Sequence, residues 1–231
     1  MKKLNFIIKC GLALLLLSFY SCESWLNVTP SDRLSEEMLF NDREGFVKAL
    51  NGVYIELNTN ELYGRNLTAG ALDVMGQYYS VASSSHAFYN YGGLVYTGND
   101  EKALFDNMWQ KCYAVIACCN TIIEKCDENK AGLSPVWRGS IKGEALALRA
   151  MLHFDMLRLF GPLTSELDKE SIPYQTNSDQ TVTPLLSGSE VVGLILDDLK
   201  NAVGLLKDTD PYFVEEEFSD TDLNYRRFRM N

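Results

Sequence analysis

Basic residues are scarce. The 231-residue chain sets 21 Lys and Arg against 31 Asp and Glu, a formal charge of −10 with a pI of about 4.7. That balance argues against nucleic acid as a partner, because such binding rests on cations that neutralise phosphates. No C-x-x-C pair occurs, so the usual zinc spacing is missing. No G-K-[ST] follows Gly92-Gly93 or Gly98, which removes a phosphate loop. No strict internal repeat is present either.

A long apolar run is also missing. "CGLALLLLSFYS" (Cys10 to Ser21) holds twelve mostly apolar residues, too few to span a bilayer. Behind Lys2, Lys3 and Lys9 it reads instead as the apolar part of an export signal. It ends at Ser21-Cys22, with Phe19 three positions before the cysteine and no A-x-A cleavage site competing. Residues 1–21 are therefore expected to be a lipoprotein signal, and Cys22 the lipidated first residue of the mature chain. Removal of three lysines moves the formal charge to −13.

Charge is absent from one place in particular. From Val74 through Asn99 there is no Asp, Glu, Lys or Arg, where the composition would supply about six. The same stretch is rich in rings: Tyr78, Tyr79, Phe88, Tyr89, Tyr91 and Tyr96. With Ser83-Ser84-Ser85 and Gly92-Gly93 it disfavours helix and reads as a loop with short extended pieces.

The rest is helical in pattern. Asn41-x-x-Glu44 suggests a capping box ahead of "DREGFVKALNGVYIEL", where Phe46, Val47, Leu50, Val53, Tyr54 and Leu57 share a face. A weaker helix is expected over about 61–75. From about Asp100 to Cys126, Phe105, Met108, Trp109, Cys112, Val115, Ile116, Cys119, Ile122, Ile123 and Cys126 form one broad stripe. Cysteines at seven-residue spacing in one helix lie too far apart to be bridged, so Cys112, Cys118, Cys119 and Cys126 read as small buried hydrophobes. Ser134-Pro135 opens the next helix, which Gly161-Pro162 stops. Its faces Trp137–Leu159 and Ala147, Met151, Phe154, Leu157 predict burial on most sides. The two long helices should form an antiparallel hairpin. The polar stretch from Leu163 to Leu186 is expected to be irregular, and Ser187-x-x-Glu190 starts a last helix through Leu206.

No reacting pair stands out. Asp155 and Arg158 are i, i+3 neighbours, and Glu144 and Arg149 are expected to tie their helix to adjacent segments. His153 is expected to be a satisfied helix histidine. With so many acids, candidate carboxylate pairs for a glycosidase are abundant and uninformative.

"CESWLNVTPSDRLSEEMLFNDREGFVKALNGVYIEL", "FDNMWQKCYAVIACCNTIIEK" and "GEALALRAMLHFDMLRLFGP", in that order, resemble the SusD/RagB family of outer-membrane lipoproteins of Bacteroidetes. The resemblance implies an all-α fold of tetratricopeptide-like helical pairs with an irregular, loop-rich ligand-binding excursion. It implies no enzyme and no cofactor. It implies a cell-surface protein, held by a lipid anchor, that delivers oligosaccharides or peptides to a TonB-dependent SusC-like barrel transporter. Residues 22–231 would be the family's N-terminal helical domain, cut short of its next helix pair. A ring covers the apolar face of a sugar while Asn, Ser and Tyr hydroxyls bond its rim. The aromatic stretch therefore supplies the candidate ligand contacts Tyr78, Tyr79, His86, Tyr89, Asn90 and Tyr91, and its lack of charge points to a neutral ligand. Tyr96 is expected to be buried, and one at most of Tyr78 and Tyr79 to face a ligand. The competing readings are a helical scaffold lipoprotein binding protein partners and, more remotely, an (α/α)-type glycosidase.

Overall fold

The computed structural model describes residues 36–179 and 181–210; Cys22 and the signal segment lie outside them. Its helices are α1 (Glu36–Leu39), α2 (Arg43–Leu57), α3 (Ala71–Met75), α4 (Tyr89–Gly92), α5 (Asn99–Glu128), α6 (Pro135–Phe160) and α7 (Gly188–Leu206). The described strands are β1 (Glu170–Pro173) and β2 (Leu185–Ser187), paired antiparallel. The fold is all-α in class, and α6 lies against α5, α7 and α2.

The start of α2 is shifted by one residue from the expected box. Asp42, extended at φ −147°, is the N-cap, and its Oδ1 accepts from the Gly45 amide at 2.8 Å. The chain turns so tightly there that a Cβ on residue 45 would lie 1.5 Å from the Leu39 carbonyl oxygen, so glycine is required. Phe46, Leu50, Val53 and Leu57 then face the core.

The helix expected over 61–75 shrinks to α3. Between residues 58 and 70 several amides bond five residues back, Leu67 to Leu62 at 2.9 Å and Gly70 to Arg65 at 2.7 Å. This tightly wound path still buries Leu62 and Leu67, which is why the sequence carries a helix-like apolar pattern without a helix.

The long helices are as expected. Met108, Cys112, Val115, Ile116, Cys119, Ile122 and Cys126 bury one side of α5. Asn129, at φ 45°, ends it, and its Oδ1 accepts from the Leu133 amide at 2.7 Å. Ser134 caps α6, with proline in the first turn. The capping box of α7 is complete: Ser187 Oγ accepts from the Glu190 amide and the Glu190 carboxylate accepts from the Ser187 amide.

Three expectations change. α6 is buried on most sides, as expected, but its second face is not covered throughout: Leu157 is inside, while Met151 and Phe154 are exposed. Cys118 is exposed, whereas Cys112, Cys119 and Cys126 are buried; all four are free thiols. The stretch after α6 holds a short hairpin rather than irregular chain alone, its strands too brief for an alternating pattern to show.

Candidate functional site

Two places merit attention as sites. The first is a polar cluster within the bundle. The Arg149 guanidinium on α6 forks onto Asp198 of α7, Nε and Nη2 each donating at 2.7 Å, while Nη1 donates to Asn120 Oδ1 of α5 at 2.8 Å. Tyr174 donates to the same Asp198 carboxylate at 2.6 Å. Asn120 Nδ2 donates to the Gln175 and Asn177 carbonyls, fixing the chain after β1.

His153 belongs to this cluster. Its ring stacks on Tyr174 at 3.9 Å, and its Nε2 accepts from the Gln175 amide at 3.0 Å. That places the ring proton on Nδ1, which donates to the Arg149 carbonyl at 2.9 Å. Burial pushes His153 down to about 4, so it is neutral near pH 7. Burial disfavours the Arg149 charge, but Asp198 outweighs it and raises that group overall. Every member of the cluster has its partner inside the cluster. Glu144 accepts from the Tyr54 hydroxyl at 2.6 Å, and Asp155 from Tyr63 at 2.5 Å as well as from Arg158. Glu144 and Arg149 thus tie α6 to adjacent segments, as the sequence predicts, and Asp155 ties it to the chain ahead of α3. An open groove of about 600 Å³ beside them is lined by Ile123, Lys142, Leu146, Arg149 and Asp198, whose charged floor is already paired.

The second place is the charge-free stretch. Gln77 takes φ 59° at its start and Leu94 φ 54° near its end, both in the left-handed region that side chains with a Cβ disfavour. The Gln77 Nε2 donates across the loop to the Gly92 carbonyl at 3.0 Å and back to the Val74 carbonyl at 3.2 Å. The segment is thus closed at its base, with α4 folded onto α3.

Its rings divide into two sets. Tyr91 is only 2% exposed, packed with Ala71 and Val74. Phe88, Phe105 and Tyr96 surround it with centroids 5.9, 6.0 and 6.3 Å away. Burial, aided by Glu101, pushes its phenol up to about 12. Through Phe105 and Phe160 this small core joins the ring contacts of α5 and α6. The outward set is Tyr78 at 83%, Tyr79 at 43% and Tyr89 at 42%, with Leu94 and Val95 beside them in sequence.

The six candidate contacts therefore part company. Tyr78 and Tyr89 are exposed. Tyr79 is exposed too, and its hydroxyl donates to the Ala69 carbonyl. His86 is exposed, with Nδ1 accepting from the Phe88 amide at 3.1 Å. Asn90 spends its amide nitrogen on Glu101 Oε1 at 2.8 Å. Tyr91 is corrected to a core residue, because its side chain is the one that seats α4 on α3. Tyr96, expected inside, is half-buried.

One residue was not foreseen. Arg65, outside the charge-free window, lies with its guanidinium 5.7 Å from the Phe88 ring centre. A window without charge is thus not a surface without charge. Only the folded path of residues 58–70 brings Arg65 there, and no local pattern announces it. Among the described residues no group of His, Cys, Asp and Glu could hold a metal ion, and no helix is long and apolar enough to cross a membrane.

Comparison with known proteins follows the same line. A SusD-like family described as "starch-binding associating with outer membrane" matches residues 24–219. SusD-like protein P38 of Formosa agariphila is 27% identical over 199 residues, 79% of this chain and 34% of that protein. SusD-like protein P2 of the same organism is 26% identical over 166 residues, 70% of this chain and 30% of that protein. The chain spans about a third of the length of these curated relatives. With its helical fold and most of its length matched, the chain belongs to the SusD-like family.

Proposed function

We propose that this chain is the N-terminal helical part of a cell-surface lipoprotein that captures oligosaccharides and hands them to a TonB-dependent outer-membrane transporter. Family membership supports the glycan and the outer membrane. The Ser21-Cys22 junction behind the apolar run supports the lipid anchor. The protein works by binding and handover, without catalysis. The observation that carries the reading is the exposed set Tyr78, Tyr79 and Tyr89 on a loop closed at its base. Rings held open to solvent on a rigid scaffold are suited to stacking on sugar faces, and loops on such scaffolds commonly carry binding. Tyr91 and Asn90 support this surface from beneath and at its edge.

Calorimetric titration of the full chain with a panel of oligosaccharides tests the reading. Binding of at least one, weakened by Tyr78→Ala or Tyr89→Ala with unchanged melting temperature, is expected. If no glycan binds and the protein instead co-purifies with a protein partner, the scaffold reading takes its place; release of reducing ends would make it a hydrolase.

A further inference from the structure

Arg65 is a built feature of the aromatic surface. Its Nε donates at 3.2 Å to Oδ1 of Asn66, a residue only 4% exposed, which fixes the direction of the guanidinium. The group lies over Phe88, whose ring is also 5.7 Å from that of His86. Neither Nη atom of Arg65 has an acceptor, and the group has no carboxylate partner, among the described residues.

Arg65 and His86 both offer N–H donors here. His86 Nδ1 is occupied as an acceptor by the Phe88 amide, which puts the ring proton on Nε2. The Nη groups of Arg65 supply N–H bonds in one plane, and stacking on a ring leaves that plane open. Such a fork matches two oxygens of one anion, and charge-assisted bonds of this kind are about twice as strong as neutral ones. Tyr89, next to Phe88 in sequence, and Tyr79, bonded to the Ala69 carbonyl, supply ring faces.

We propose that Arg65 and His86, each within 5.7 Å of the Phe88 ring centre, form a subsite for the anionic group of an acidic sugar, a carboxylate or a sulfate. The proposal rests on the glycan-binding reading above and sharpens its ligand class from neutral to acidic. Arg65 holds the anion by its in-plane N–H groups, His86 adds one N–H, and the exposed tyrosines hold the ring carbons.

The test uses the full chain and matched probes: tetragalacturonate with its methyl ester, and a sulfated galactose tetrasaccharide with its desulfated form. The readout is the affinity ratio within each pair, which a partly unfolded variant still reports. The subsite predicts that one acidic probe binds about tenfold tighter than its neutral mate, the gain of a charge-assisted pair. It predicts that added salt and Arg65→Gln each bring the ratio towards one, and that Arg65→Lys retains part of it. Tyr89→Ala should weaken both members of a pair alike. Whichever pair shows the preference identifies carboxylate or sulfate. Equal binding of both mates, or a ratio untouched by Arg65→Gln, overturns the subsite and leaves the glycan reading standing. Failure of these probes and of every oligosaccharide in the wider panel overturns both.

Discussion

Tyr91 shows how much a single side chain decides here. Its ring is the centre of the small core that joins α3, α4 and the start of α5, while its sequence neighbours face water. Removing a ring from such a position costs about 3–5 kcal/mol through lost burial and the cavity left behind. Tyr91→Ala is therefore expected to lower the melting temperature sharply, and Tyr91→Phe to change it little; equal stability of all three proteins would place Tyr91 outside the core. The sequence showed that this segment was aromatic and uncharged, but not which rings point in. In a loop there is no period of 2 or 3.6 to sort them, and α4 is a single turn. Arg65 was equally illegible, because its position on Phe88 depends on amides bonding five residues back, a path no helical or strand pattern encodes.

At the scale of elements the sequence was most readable where periodicity runs long. The α6 limits and the α7 capping box follow from Ser134-Pro135, Gly161-Pro162 and Ser187-x-x-Glu190, since each side chain or ring has one local job. The readings that failed are local choices between neighbours. Asn41 and Asp42 are both good caps in isolation; the close pass of Gly45 over the Leu39 carbonyl selects Asp42. Asp42→Ala should thus cost about 1 kcal/mol and Asn41→Ala much less. Chemical denaturation of the two variants checks this, and the reverse order would restore the earlier box. The second apolar face of α6 misled for a related reason. Ala147, Met151 and Phe154 have the spacing of a buried stripe, yet Met151 and Phe154 lie open, with the Arg158 guanidinium above the Phe154 ring. Spacing identifies which residues share a face, not whether anything covers it.

The whole molecule is held by a polar seam as well as by its apolar core. Arg149, Asp198, Asn120, Tyr174 and His153 join α5, α6, α7 and the chain after β1. Such a seam makes stability depend on pH. The unfolded chain protonates His153 near its ordinary 6.5, whereas the buried ring takes a proton only at about 4. The native contribution is complete above the higher value and is lost as pH falls between the two, because the unfolded state then binds the extra proton. The shift corresponds to on the order of 3 kcal/mol. Melting temperatures should fall across this window in the native protein and fall less in His153→Gln; parallel curves would show that His153 does not set the slope.

The seam pairs its own charged groups inside the bundle, while the aromatic loop carries exposed rings. The claim that this loop binds sugar is tested most directly by titrating the full chain, with Tyr78→Ala and Tyr89→Ala beside it, against an oligosaccharide panel that includes the acidic and neutral pairs. The account predicts saturable binding that both variants weaken, by about 1–3 kcal/mol for each lost aromatic face if sugar stacking matches the worth of a base on a ring, while their melting temperatures stay that of the parent. Binding of equal strength in all three proteins, or none in any, would contradict it.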